Sequence, residues 1–294
     1  MKKAILVLLM VALVAPLFAR DIDAIVSADW LAANLTNSKL VVLDVRKIED
    51  YKAGHIPGAV SSIAASWSPK KGNLNVELPD VGLLEDLVME AGIDGSNWVV
   101  IANSEGGAQY HVSARVALTL KYAGLDNVAI LDGGMAVWTK AGKPVATGVE
   151  TRKESAFSAK LRPELVVSQD YVVENIGKTQ FVDARSYDSY FGRAKFANAA
   201  QFGHIPGAFP FPKEWLYDAE GKLVPDAKIK EMLTAIGLDT SKEFIGYCDT
   251  GMGCAVFSWV FGEKFGWKNV KMYDGSSEEL TRNPKVTYTM YTWR

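Results

Sequence analysis

Short, nearly unbroken apolar runs punctuate the chain: Val41-Val42-Leu43, Trp98-Val99-Val100-Ile101-Ala102, Phe181-Val182 and Phe244-Ile245-Gly246-Tyr247. Continuous apolarity over so few residues marks a strand covered on both faces, as in a parallel sheet. Stretches with helical spacing lie between the runs. Leu83 to Ala91 ends at Gly92, and Ala227 to Ile236 ends at Gly237. Each glycine suits the left-handed residue that closes a helix. Strands alternating with helices predict βαβ units and mainly parallel sheets.

The pattern also repeats. Gly54-His55-Ile56-Pro57-Gly58-Ala59 returns as Gly203-His204-Ile205-Pro206-Gly207-Ala208. Each copy follows a strand ending in Asp-x-Arg, at Asp44-Val45-Arg46 and at Asp183-Ala184-Arg185. Downstream, Trp98 to Asn103 matches Glu243 to Cys248, Gly124 to Val128 matches Gly266 to Val270, and Asp132-Gly133 matches Asp274-Gly275. Ordered matches at nearly constant spacing mean a tandem duplication. The expected organisation is one domain over residues 20–150 and another over 163–294, joined by the polar stretch around Gly148 to Pro163.

Composition adds bounds. The 294 residues are 49% hydrophobic and 22% charged, as in an ordinary folded protein. A formal charge of −2 without any dense Lys/Arg run gives no reason to expect nucleic acid as a partner. Lys2 and Lys3 precede an apolar run from Ala4 to Val14, and small Ala19 precedes Arg20. That is the form of a signal peptide over residues 1–19, too short in its apolar part for a spanning helix. The mature chain is expected to be exported, into the periplasm of a Gram-negative source, with no stable membrane insertion.

Cys248 and Cys254 are the only cysteines, too few for a stapling framework, so chemistry explains at least one of them better. Asp-x-Arg after a strand, GHIPGA, a Cys closing a central strand and Asp132-Gly133-Gly134 leading to Trp138 together resemble the rhodanese family. The paired arrangement resembles its tandem thiosulfate and 3-mercaptopyruvate sulfurtransferases, over nearly all of the mature chain. The resemblance implies an α/β fold of two tandem rhodanese-like domains, each a central mainly parallel sheet flanked by helices. It implies catalysis by Cys248, which opens the loop Cys248-Asp249-Thr250-Gly251-Met252-Gly253 before Cys254 and Ala255 start a helix. Residues Asp249 to Gly253, with Arg185, are the expected substrate-binding set. Backbone N–H groups in such a loop favour the thiolate and a terminal persulfide anion. The implied cycle is double displacement: Cys248 takes sulfane sulfur from thiosulfate, 3-mercaptopyruvate or polysulfide, and a thiol or cyanide removes it. Asn103 stands where the first half would need its Cys, so that half is expected to be inactive.

Other residues carry blander expectations. Cys254 reads as a small structural residue, with a reversible disulfide to Cys248 as the alternative. His55 and His204 read as anchors of their turns, Arg193 and Lys195 as solvated charge, and Trp138, Tyr288, Tyr291 and Trp293 as packing residues. No nucleotide, flavin or metal motif is present, and no cofactor is implied. Asp249 departs from the basic or glycine residues that follow the Cys in the family, and an anion there should repel an anionic donor. A phosphatase of related fold would need Cys-x5-Arg, but the sixth residue after Cys248 is Cys254. The remaining alternative is a carrier that holds a persulfide for a protein acceptor without turnover.

Overall fold

The computed structural model describes residues 20–104 and 106–291. The expected leader over residues 1–19 and the packing role given to Trp293 lie outside these residues. The first half forms a sheet from β1 (Ile25–Val26), β2 (Leu40–Asp44), β3 (Val60–Ser61), β4 (Trp98–Ala102) and β5 (Val128–Leu131), in the order β1-β5-β4-β2-β3. The second half uses β6 (Val166–Val167), β7 (Gln180–Asp183), β8 (Phe209–Pro210), β9 (Phe244–Tyr247) and β10 (Val270–Tyr273), in the order β6-β10-β9-β7-β8. The two orders are the same order, and every pairing is parallel. Two α/β units, each a parallel sheet flanked by helices, are what the alternating pattern predicts.

The interior strands β2 and β9 are buried along their whole length, which accounts for their unbroken apolarity. The expected helices run Val81–Glu90 and Asp226–Ala235. Gly92 at φ +68° and Gly237 at φ +82° follow their ends in the left-handed region.

The repeated motifs make one device twice. Arg46 forks onto the Asp44 carboxylate and donates to Gly54 O at 2.6 Å; Arg185 does the same to Asp183 and donates to Gly203 O at 2.7 Å. The Asp-x-Arg pair therefore grips the first residue of GHIPGA. His55 Nδ1 lies 2.9 Å from Tyr51 O, and His204 Nδ1 lies 2.7 Å from Tyr190 O, each imidazole stacked on that tyrosine. Both are turn anchors. Trp138 and Tyr288 are buried, whereas Tyr291 is 63% exposed, contrary to the packing role expected of it. It lies against the rings of Phe191 and His204 at the surface, where one face of the ring stays in water.

The halves share a core. One apolar cluster runs from Val41 and Leu43 of the first sheet to Val256, Phe257 and Trp259 of the second half, and Trp259 Nε1 donates to Ala24 O at 2.8 Å. A strap from the first half crosses onto the second. Asn75 donates through its N–H and Nδ2 to the Glu278 carboxylate, at 3.0 and 2.6 Å, and Leu78 N–H donates to Asp274 Oδ2 at 2.9 Å.

Glu77 in this strap is unusual. Burial and the neighbouring Asp274 push its carboxyl up to about 8, against an opposing pull from Arg115. The folded chain thus keeps a proton that the unfolded chain releases near the ordinary value of 4.5, so Glu77 erodes stability as pH rises from 4.5 to 8. Partial exposure limits this to about 1 kcal/mol. Glu77→Gln is expected to raise Tm at pH 8 by about 2–4 °C and to change it little at pH 5. Thermal unfolding at both pH values checks this, and an equal change at both would remove the titration as its cause.

Candidate active site

Cys248 follows directly on β9 and opens a loop that ends at Cys254, the residue before the helical turn Ala255–Phe257. Its thiol is 5% exposed and lines a cavity of about 560 Å³. Asp249, Thr250, Met252, Gly253 and Arg185 share that lining. Gly251 does not: its N–H and carbonyl face the protein behind the loop. The first half adds Asn75, Val76 and His111 to the cavity wall.

The loop is held from behind by the segment after β10. Ser276 Oγ accepts the N–H groups of Cys248 at 3.1 Å and Gly251 at 3.0 Å, and donates to Tyr273 O at 2.9 Å. Ser277 N–H donates to Cys248 O and Glu278 N–H to Asp249 O, at 3.0 and 2.9 Å. In the first half Met135 and Ala136 make the same two bonds to Asn103 and Ser104, which places Asn103 at the position of Cys248. Ser276 has φ +48°, the one non-glycine residue in the left-handed region among the described residues, where the first half has Gly134 at +60°. A side chain there costs about 1–3 kcal/mol. The hydroxyl, which templates the loop, is the feature a glycine could not supply.

Two opposing influences set the acidity of Cys248. Burial pushes its pKa up, as does the neighbouring Asp249, while the Cys254 thiol and the backbone N–H groups of Cys254 and Thr250 stabilise the anion and win, leaving it at about 6. Gly253 N–H adds a donor 3.2 Å from Sγ. Cys254 is pushed the other way, by burial and by the neighbouring Cys248, while its Sγ donates to Gly251 O at 3.6 Å. At neutral pH the pair is one thiolate and one thiol, and both cysteines are free. Cys254 is thus a polar neighbour that favours the Cys248 anion as well as a small residue in the core. Cys254→Ala is expected to move the pH midpoint of Cys248 alkylation above about 6. Cys254→Ser, which keeps a donor, should fall between the two, and an unmoved midpoint in both variants would exclude this role.

Asp249 is mostly buried, not exposed as a surface anion would be, and its Oδ1 has no hydrogen-bond partner. Burial raises its pKa, Arg185 and Lys213 lower it, and Asp183 adds to the rise. Arg185 both lines the cavity and pairs with Asp183, and its Nη1 is buried without a partner. Lys195 donates to Ala199 O and lies over the Phe202 ring, so it is more engaged than a free surface charge.

His111, Lys213, Ser276 and Arg115 were not among the expected site residues. Burial and the nearby Lys213 lower the pKa of His111 to about 4, so it faces the cavity as a neutral imidazole at neutral pH. Only Arg115 carried a signal in the sequence, as a lone charge within the apolar stretch Ala114 to Leu120.

The Rhodanese-like domain model matches residues 27–141 and again 168–283. The chain belongs to the rhodanese family. A Mycolicibacterium smegmatis relative named for thiosulfate sulfurtransferase activity is 30% identical over 266 residues, 87% of this chain and 94% of the relative. Thiosulfate/3-mercaptopyruvate sulfurtransferase 2 of Arabidopsis thaliana is 28% identical, covering 90% of this chain and 86% of its own. The crystal structure of SseA from Escherichia coli, a 3-mercaptopyruvate sulfotransferase by its description, matches with a TM-score of 0.77 at 26% identity, over 87% of this chain and 99% of that one. The tandem rhodanese architecture and the enzyme class expected from the sequence, sulfurtransferase, agree with these relatives.

Proposed function

We propose that this rhodanese moves sulfane sulfur through a persulfide on Cys248. One observation carries the reading. A buried thiol held near pKa 6 by donors of its own loop opens on a cavity with walls from both halves. In the first step the Cys248 thiolate attacks the outer sulfur of the donor. The new S–S bond forms as the donor's bond to that sulfur breaks, and its electron pair leaves with sulfite, with the enolate of pyruvate, which then takes a proton, or with a polysulfide one sulfur shorter. The acceptor, a thiol or cyanide, then attacks the terminal sulfur and returns Cys248 as thiolate. Loop N–H groups that favour the thiolate also favour the persulfide anion. The half bearing Asn103 shapes the cleft and carries out no transfer of its own.

Thiosulfate and 3-mercaptopyruvate are the donors named for the relatives. Asp249 beside the nucleophile disfavours a dianion, which brings polysulfide forward as a third donor. The same residue supports a second reading, a carrier that loads once and releases sulfur only to a protein partner. We also propose that the chain acts after export, with Arg20 as its first residue.

The test is to incubate residues 20–294 with each donor separately, following the intact mass and the turnover with thiol or cyanide. A gain of one sulfur on Cys248 with repeated turnover supports the enzyme and ranks its donors. Loading without turnover supports the carrier. No loading by any donor would overturn the role of Cys248.

A further inference from the structure

Arg115 lies in the helix Gly106–Tyr122 of the first half and is completely buried. A guanidinium keeps its charge at any accessible pH, so a partner must meet it inside the protein. That partner comes from the other half. Arg115 Nη1 donates to Asp274 Oδ1 and, over a longer 3.5 Å, to Gly251 O in the middle of the Cys248 loop. Asp274 in turn accepts the Leu78 N–H of the strap, and it stands just ahead of Ser276, which holds the N–H groups of Cys248 and Gly251.

The packing around Gly251 shows how closely these parts fit. A Cβ there would meet Asp274 Oδ1 at 2.6 Å and Arg115 Nη1 at 3.2 Å, and the residue has φ +79°. Loop, Asp274 and guanidinium form one packed unit. Arg115 Nε and Nη2 are buried without hydrogen-bond partners in the protein. A buried charge with idle donors is a poor way to stabilise a domain interface, since apolar packing would serve at least as well. Position explains it better than stability does.

We propose that Arg115 is a positioning residue of the Cys248 site: it fixes Asp274 and the Gly251 carbonyl so that the loop's N–H groups stay aimed at the sulfur. The proposal rests on the reading of Cys248 as the nucleophile. It gives the half without a cysteine a part in the chemistry of the other half. The guanidinium charge also acts on the Cys254 thiol, whose Sγ donates to Gly251 O, and Glu77, Asp274, Glu279 and Lys71 belong to the same charged surroundings.

Two variants test it in the full chain. Arg115→Lys keeps the charge and a bond to Asp274 but loses the planar guanidinium that sets Nη1 between Asp274 and Gly251 O. The pair Arg115→Met with Asp274→Asn removes both charges, so neither is left buried alone. The first measurement is the pH midpoint of Cys248 alkylation, which needs no sulfur donor; the second is the division of sulfur transfer into kcat and KM. The midpoint is expected to rise in the double variant from about 6 towards the ordinary thiol range of roughly 8.5. Its kcat should fall on the order of 10- to 100-fold with KM little changed, as a misaimed site requires. Arg115→Lys should lie between it and the wild type in both. A lowered Tm with midpoint and kcat unmoved in both variants would make Arg115 an interface residue only and overturn the proposal. A wild-type protein with a low midpoint that transfers no sulfur would sink the functional reading while leaving the positioning role standing.

Discussion

Cys248→Ser is expected to abolish sulfur loading and to lower kcat/KM by about 10⁴-fold or more, the scale on which a lost nucleophile is felt. The reasoning starts from acidity. The loop and Cys254 hold the thiol at about 6, so most of Cys248 is thiolate at neutral pH. A serine hydroxyl starts so far above the thiol range that the same donors leave it protonated. The substitution changes volume little, and Ser276 Oγ, Ser277 N–H and Gly253 N–H keep their places, so the variant should fold. It also separates the two cysteines. Cys254 remains in Cys248→Ser, wholly buried and with its pKa driven well above the ordinary thiol value. Intact mass after exposure to donor reads the result directly. A sulfur adduct that survives in this variant would move the nucleophile to Cys254 and undo the assignment.

The pH dependence follows from the same value with its sign. Loading by the wild type should climb as pH rises through about 6 and then level off, because the thiolate is the attacking form. Cys254→Ala and the Arg115 variants move that rise to higher pH by different routes, one removing the neighbouring thiol and the other misplacing the loop that carries the donors.

How far the site was legible from the residues alone depends on where each contact lies. The sheets follow from β2 and β9, whose continuous apolarity needs no partner to be recognised, and the duplication follows from a six-residue phrase written twice. Cys248 is legible because a strand end and a glycine-bearing loop stand next to it in the chain. Arg185 and the GHIPGA turn are legible as a motif, although the fork that joins them appears only once Gly203 O folds back onto the guanidinium. The misses are long-range. His111 reaches the cavity from the far half, and Arg115 meets Asp274 from a position 159 residues away. Ser276 was hidden for another reason: in sequence it is one serine after Asp-Gly, and its worth lies in a left-handed φ that turns its hydroxyl under the loop. Asp249 was legible as an anion beside the nucleophile, but its place in the chain says nothing about how much water reaches it.

That burial makes Asp249 the second decisive position. Asp249→Asn is expected to raise kcat/KM for thiosulfate on the order of tenfold to a hundredfold, chiefly through KM. Two unit charges about 8 Å apart at an effective dielectric of ~20 oppose each other by roughly 2 kcal/mol, and a dianion doubles the charge that is repelled. Ionic screening takes part of this back, so added salt should help the wild type more than the variant. Burial is the largest influence on Asp249 and raises its pKa, while Arg185 and Lys213 lower it. The wild-type penalty should therefore weaken as pH falls and the carboxylate gains its proton, and the variant should lack that trend. The attacking acceptor, a thiolate or cyanide, carries one negative charge and not two, so the acceptor half of the cycle should change less. Steady-state kinetics with thiosulfate at two ionic strengths and across pH would read all three effects. Unchanged kcat/KM for thiosulfate would mean that the carboxylate is turned away from the incoming donor, and donor choice would then rest on Lys213, Arg185 and the cavity walls from the first half.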